Sequence, residues 1–133
     1  MAGDSSLALQ TSIYTALKGD AALMALVTDV FDYVPEEAKT PYVTIGEETA
    51  ADWTSSLHKG TDATINIHSW SHADGRAEVK QIMGAIYDIL HEGKIPIPGY
   101  TLVSMRFEFQ ETLLDEDGKH YHGIQRFRVL THA

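Results

Sequence analysis

Apolar residues first recur along the chain with a helical period. Leu9, Ile13, Ala16 and Leu17 fall at spacings of four, three and one, which places them on one helix face. Asp4, Ser5 and Ser6 offer capping oxygens ahead of them, and Gly19 stops the run. Asp20 can cap a second, short helix over residues 21–27. Residues 30–34 read as a short strand halted by Pro35, and residues 36–40 form a polar loop ending before Pro41. Residues 42–48 form a strand with Val43 and Ile45 on one face and Thr44 on the other. Residues 49–60 are polar apart from Ala50, Ala51, Trp53 and Leu57 and predict a long connection. Residues 61–70 alternate cleanly, with Ala63, Ile65 and Ile67 on one side and Thr64, Asn66, His68 and Trp70 on the other.

Ser71 and Asp74 have the spacing of a capping box. The helix after them carries Val79, Ile82, Met83, Ile86 and Leu90 on one stripe, and it ends at Gly93 and the run Pro96-Ile97-Pro98-Gly99. Two strands follow, joined through a turn at residues 115–119 that contains Asp117-Gly118. Gly118 and Gly123 are both assigned to this hairpin. Parity fixes its register. With Phe107 opposite Phe127, Met105 meets Val129, Arg106 meets Arg128 and Glu108 meets Arg126, so one face is aromatic and aliphatic and the other charged. A slip of one residue would drive Arg126 or Arg128 into the core, at high cost. The order predicts an α+β fold: a mixed or antiparallel sheet of about five strands with two main helices on one face. Residues 1–133 are read as one domain, with residues 1–4 flexible.

Composition narrows the function classes. Hydrophobic residues make up 44% of the 133 and charged residues 22%, as in an ordinary globular domain. The formal charge of −9 opposes nucleic-acid binding, which rests on neutralising phosphates. The chain has no cysteine, which excludes a disulfide framework and a thiolate metal site. Residues 1–6 are small and polar, so no secretory leader is expected, and no apolar run is long enough to span a bilayer.

Candidate chemistry is thin. His68 and His72 straddle a strand end and a helix start, so they do not share a helix face, and His-Glu-x-x-His is absent. His120 and His122 could share a strand face near Asp115 and Asp117, which leaves a metal site there as a minor alternative to a solvated hairpin tip. The carboxylate runs Glu47-Glu48 and Asp115-Glu116-Asp117 lack an apolar pocket that would split their pKa values. There is no Gly-x-Ser-x-Gly elbow and no glycine-rich phosphate loop. No catalytic residue, metal or cofactor is therefore expected. Trp53 lies in a polar segment and Trp70 on a polar strand face, where exposed aromatics can anchor an interface. Trp53, Leu57, Arg106, Glu108, Arg126 and Arg128 are the candidate contact residues.

The chain also resembles a family. Ser6-Leu7-Ala8-Leu9-Gln10 with Ile13-Tyr14 and Leu17 is similar to the opening helix of the phage tail-completion family. So are Val30-Phe31-Asp32-Tyr33-Val34-Pro35, Pro41-Tyr42-Val43-Thr44-Ile45-Gly46-Glu47, His68-Ser69-Trp70-Ser71, the helix that follows, and the hairpin from Asp117-Gly118 to Arg126-Phe127-Arg128. The resemblance implies a structural protein of long-tailed phages or gene transfer agents, assembled in the bacterial cytoplasm and carried in the virion tail or neck. It implies a homohexameric ring that caps the tail tube, meets the tail tube protein and the head–tail connector, and lets DNA pass through its lumen without specific binding. No membrane or cofactor is implied. The alternatives are another neck, connector or minor tail subunit, or a small metal-dependent enzyme.

Overall fold

The computed structural model describes residues 4–72 and 76–133. In chain order it contains α1 (Ser6–Lys18), α2 (Ala21–Met24), β1 (Val30–Phe31), β2 (Tyr42–Asp52), β3 (Gly60–Ser71), α3 (Ala77–Leu90), β4 (Thr101–Leu114) and β5 (Tyr121–His132). The strands form one sheet in the order β1-β2-β3-β5-β4. Only β1 pairs parallel, with β2, so the sheet is mixed. The expected α+β arrangement, with helices on one face of five strands, is what the chain adopts.

The core forms between the two apolar patterns read from the sequence. Ile65, Ile67, Met105, Phe127 and Val129 point from the sheet toward Leu9, Ile13 and Leu17 of α1 and Ile82, Ile86 and Leu90 of α3, and all are buried. Ser12 joins the buried face of α1, while Ala16 is half-buried. Asp20 caps α2 as its position suggested, accepting from the Leu23 amide at 2.9 Å. Among the α1 candidates, Asp4 accepts from the Ser6 amide at 3.0 Å. Ser5 occupies the capping position but is buried, and its hydroxyl bonds Thr131 Oγ1 at 2.7 Å instead.

Several boundaries differ from expectation. The short helix ends at Met24, before residue 27, and β1 stops at Phe31, before residue 34. The long connection over residues 49–60 shrinks to residues 53–59, because β2 extends to Asp52 and β3 begins at Gly60. Ladder hydrogen bonding to β3 carries β2 through polar residues that alternation alone does not mark. Ser71 is the last residue of β3 and does not cap α3: its hydroxyl donates to Glu78 Oε1 at 2.5 Å. Asp74, the other half of the expected capping box, lies outside the described residues.

In the β4–β5 hairpin, Phe107 faces Phe127, Met105 faces Val129 and Arg106 faces Arg128, as parity requires. A bulge then intervenes between Phe107 and Phe109, so Phe109, and not Glu108, stands opposite Arg126. The extra residue shifts register by one, which no hydrophobic pattern announces. Gly118 takes φ 68° in the turn. Gly123, by contrast, lies inside β5, where a Cβ would come 2.6 Å from Met83 Sδ, so its role is close approach of α3 to the sheet.

Phe127 is fully buried at the centre of this arrangement. Phe127→Ala is expected to cost about 3–5 kcal/mol. Leu57→Ala, at a side chain 84% exposed, should stay within about 0.5 kcal/mol. Urea denaturation of the two variants checks the contrast.

Candidate interaction surface

The helices cover one face of the sheet, and the other carries the polar halves of the alternating strands. Two zones divide that outer face. The first is a column of rings. Phe31 meets Tyr42 edge-on at 5.7 Å, Tyr42 lies 6.4 Å from Trp70, and Trp70 stacks on His122 at 3.7 Å with 9° between planes. His68 continues the column, with its Nδ1 2.6 Å from His122 Nε2 and its Nε2 3.0 Å from Glu47 Oε1. Cross-strand pairing of Trp70 with Tyr42 and His122 builds the column. Trp70 thus finds partners within its own sheet. Tyr100 packs against the core on the helix side, its hydroxyl donating to the Asp4 carbonyl at 2.9 Å.

Protonation follows from this packing. Burial, and then the neighbouring His68 charge, push the His122 imidazole below its usual range. Glu47 is held below the usual carboxylate range first by the amide of Asn66, which donates to it at 3.0 Å, and then by His68. His68 spends both ring nitrogens on these partners. The column is a self-satisfied network and a poor ligand set.

The second zone is charged. Arg128 grips Asp62 with two hydrogen bonds, Nε–Oδ1 at 2.9 Å and Nη2–Oδ2 at 2.6 Å, and this relieves its direct opposition to Arg106. Arg126 bonds Asn66 Oδ1 at 3.3 Å and lies over the Phe109 ring at 4.9 Å. Arg106 reaches Glu92 at 3.4 Å with both groups largely exposed. Glu108 lies at the bulge, where its charge adds to that of Asp62 on Arg128.

The remaining candidates sit on the turns. Trp53 is 42% exposed at the β2–β3 hairpin, and Leu57 projects from its tip. Gly60 closes this hairpin, because a Cβ there would lie 2.4 Å from the Trp53 carbonyl oxygen. His120 sits in the β4–β5 turn against Asp117 Oδ2 at 2.5 Å. Amide donation from Lys119, followed by His120, holds the Asp117 carboxyl down to about 2. The His120 ring lies against His72, tilted by 31° with centroids 4.7 Å apart, while His122 turns toward Trp70, so the two do not converge. Among the described residues no three His, Asp or Glu side chains group to hold a metal.

Sequence reading missed Gln125, which is buried on the apolar face beside Phe127. Its amide donates to the Met83 carbonyl at 2.9 Å and to Gln110 Oε1 at 3.2 Å. Strand parity with Phe127 and Val129 was the available signal.

The ring column makes stability depend on pH. With its folded pKa below 6.5, His122 stabilises the fold fully above that pH, and the contribution is lost as pH falls toward the folded value. The urea midpoint of the wild type should therefore drop more than that of His122→Gln between a pH above 6.5 and one about a unit below it. Equal drops would show that His122 does not carry the effect.

Comparison with known proteins places this surface in a family. The family described as tail completion protein gp17 matches residues 11–132. The tail completion protein gp17 of Bacillus phage SPP1 is 27% identical over 123 residues, covering 92% of this chain and 91% of that protein. The solved structure of bacteriophage SPP1 gp17 aligns over 94% of this chain and 89% of its own, with TM-score 0.68. A chain of the virion of a native gene transfer agent particle shares the fold more closely, with TM-score 0.89 over 97% of this chain and 98% of its own at 24% identity. The chain belongs to the tail completion protein gp17 family.

Proposed function

We propose that this chain is a tail terminator: a homohexameric ring that caps the tail tube, meets the tube protein on one side and the head–tail connector on the other, and leaves a lumen for DNA. The observation that carries the reading is the match to SPP1 gp17, which runs through nearly the whole of both chains in sequence and in fold. A structural role in completing a tail is the family's, and it places the protein in the tail of the virion or gene transfer particle.

The surface chemistry supports this work. One sheet face is left without a helical cover, and its charges and rings are held in fixed positions, which suits a docking surface more than a reaction centre. A strongly acidic chain presents little to attract a phosphate backbone, so DNA can move past without being held. Trp53 and Leu57, on a hairpin at the opposite end of the sheet from the Asp117 turn, are assigned to contact with the adjoining ring. Arg106, Glu108, Arg126 and Arg128 are assigned to offset repulsion between like-charged copies.

Loss of the gene separates this role from that of a connector subunit. Electron micrographs of the deletion strain should show tails that overrun their normal length and lack heads. Free tails of normal length would identify a connector subunit instead.

A further inference from the structure

The two ends of the sheet differ in how their edges are closed. At the β4 end, the first half of the edge is covered: the Glu92 amide donates to the Met105 carbonyl at 2.7 Å, and the Phe107 amide donates to His91 Nδ1 at 3.1 Å. Beyond the bulge, residues 109–114 run regularly along β5 and carry the exposed apolar side chains Phe109, Leu113 and Leu114. A regular apolar edge of this kind is a template for another strand. Helix α3 runs beside it, and the two enclose an open groove of about 630 Å³ lined by Lys80, Gly84, Tyr87 and Phe109.

Gly84 is the second observation. It lies inside α3, where glycine weakens a helix relative to alanine. A Cβ there would meet nothing within 4 Å. Nothing among the described residues requires the missing side chain, whereas an approaching partner would.

The other end of the sheet supplies the partner. β1 pairs with β2 on one side only and is two residues long; the chain bends at Asp32 and Tyr33, although residues 30–34 have the composition of a longer strand that a pairing edge could straighten. Residues Val30, Val43, Ser69, Gly123 and Thr112 form one row across all five strands, as do Phe31, Thr44, His68, Ile124 and Glu111. The outer side of β1 and the bare stretch of β4 are therefore level, at opposite ends of the same rows. They also run antiparallel. Charge permits the contact: Asp32 follows β1 directly, and the groove carries Lys80 as well as Asp88, with Lys80 in no ion pair among the described residues.

We infer that residues 30–34 of a second copy add as an antiparallel strand to residues 109–114, bringing Asp32 toward Lys80 and Tyr33 over Phe109, with Gly84 kept small to admit the neighbour. The contact joins two different surfaces, so repeating it builds a ring or a helix and not an isolated pair. It rests on the ring reading above and specifies which surfaces form the ring.

Absence of native cysteine makes the test clean. Particles carrying Tyr33→Cys with Phe109→Cys are oxidised and run without reductant, alongside each single variant. The inference expects a ladder of covalent multimers from the double variant and no ladder from either single one. It also expects Gly84→Leu to keep the thermal midpoint of the isolated chain and to lose incorporation into particles. Multicopy rings in particles without a ladder, or normal incorporation of Gly84→Leu, would overturn the inference and leave the ring reading standing. A single wild-type copy per particle would overturn both.

Discussion

Burial of Phe127 against Phe107, Ile65 and the two long helices constrains the rest of the molecule. The rings of Phe107 and Phe127 meet edge-on at 5.8 Å, and that one pair sets the parity of β4, β5 and β3 together. Once parity is set, Arg126, Arg128, Asn66, His68 and Trp70 have only the opposite face available. The protein cannot bury its core without also displaying a polar sheet face. The surface assigned here to assembly is a direct consequence of the packing that makes the domain fold.

That face is stiffened by internal pairing. Asp62 holds Arg128, Glu47 and His122 hold His68, and Trp70 stacks on His122 with Tyr42 beside it. The exposed Arg128–Asp62 pair adds little to stability. These contacts fix side-chain positions before a partner arrives, which lowers the ordering cost of association. The edges behave differently: part of β4 is closed by residues 91 and 92, and part is bare. A protein that must join copies of itself needs edges left open, and one that must avoid aggregation needs the remainder blocked.

Much of this was legible in the sequence because it rests on periodicity. The stripes on α1 and α3, the alternation of Ile65 and Ile67 with Asn66 and His68, and the Phe107–Phe127 register all follow from side-chain period and the cost of burying arginine. The departures have local causes. The bulge after Phe107 shifts Glu108 away from Arg126 without altering composition. The polar half of β2 is held as a strand by its ladder to β3 and by cross-strand side-chain bonds from Glu47 and Thr49, which an apolar alternation does not mark. Gln125 is buried because its strand parity overrides its polarity, and its amide finds acceptors at Met83 and Gln110. The family resemblance was legible in the order and spacing of short motifs. The open space beside Gly84 was not, because an empty space beside a helix exists only once the fold is built.

A reconstruction of the assembled particle, at a resolution that traces strands, tests the proposed ring. Six copies of this chain are expected in one ring at the head-proximal end of the tail tube, with the sheet edges of adjacent copies in contact. Density showing the chain elsewhere in the particle, or no copy of it in the tail, would rule out the terminator role.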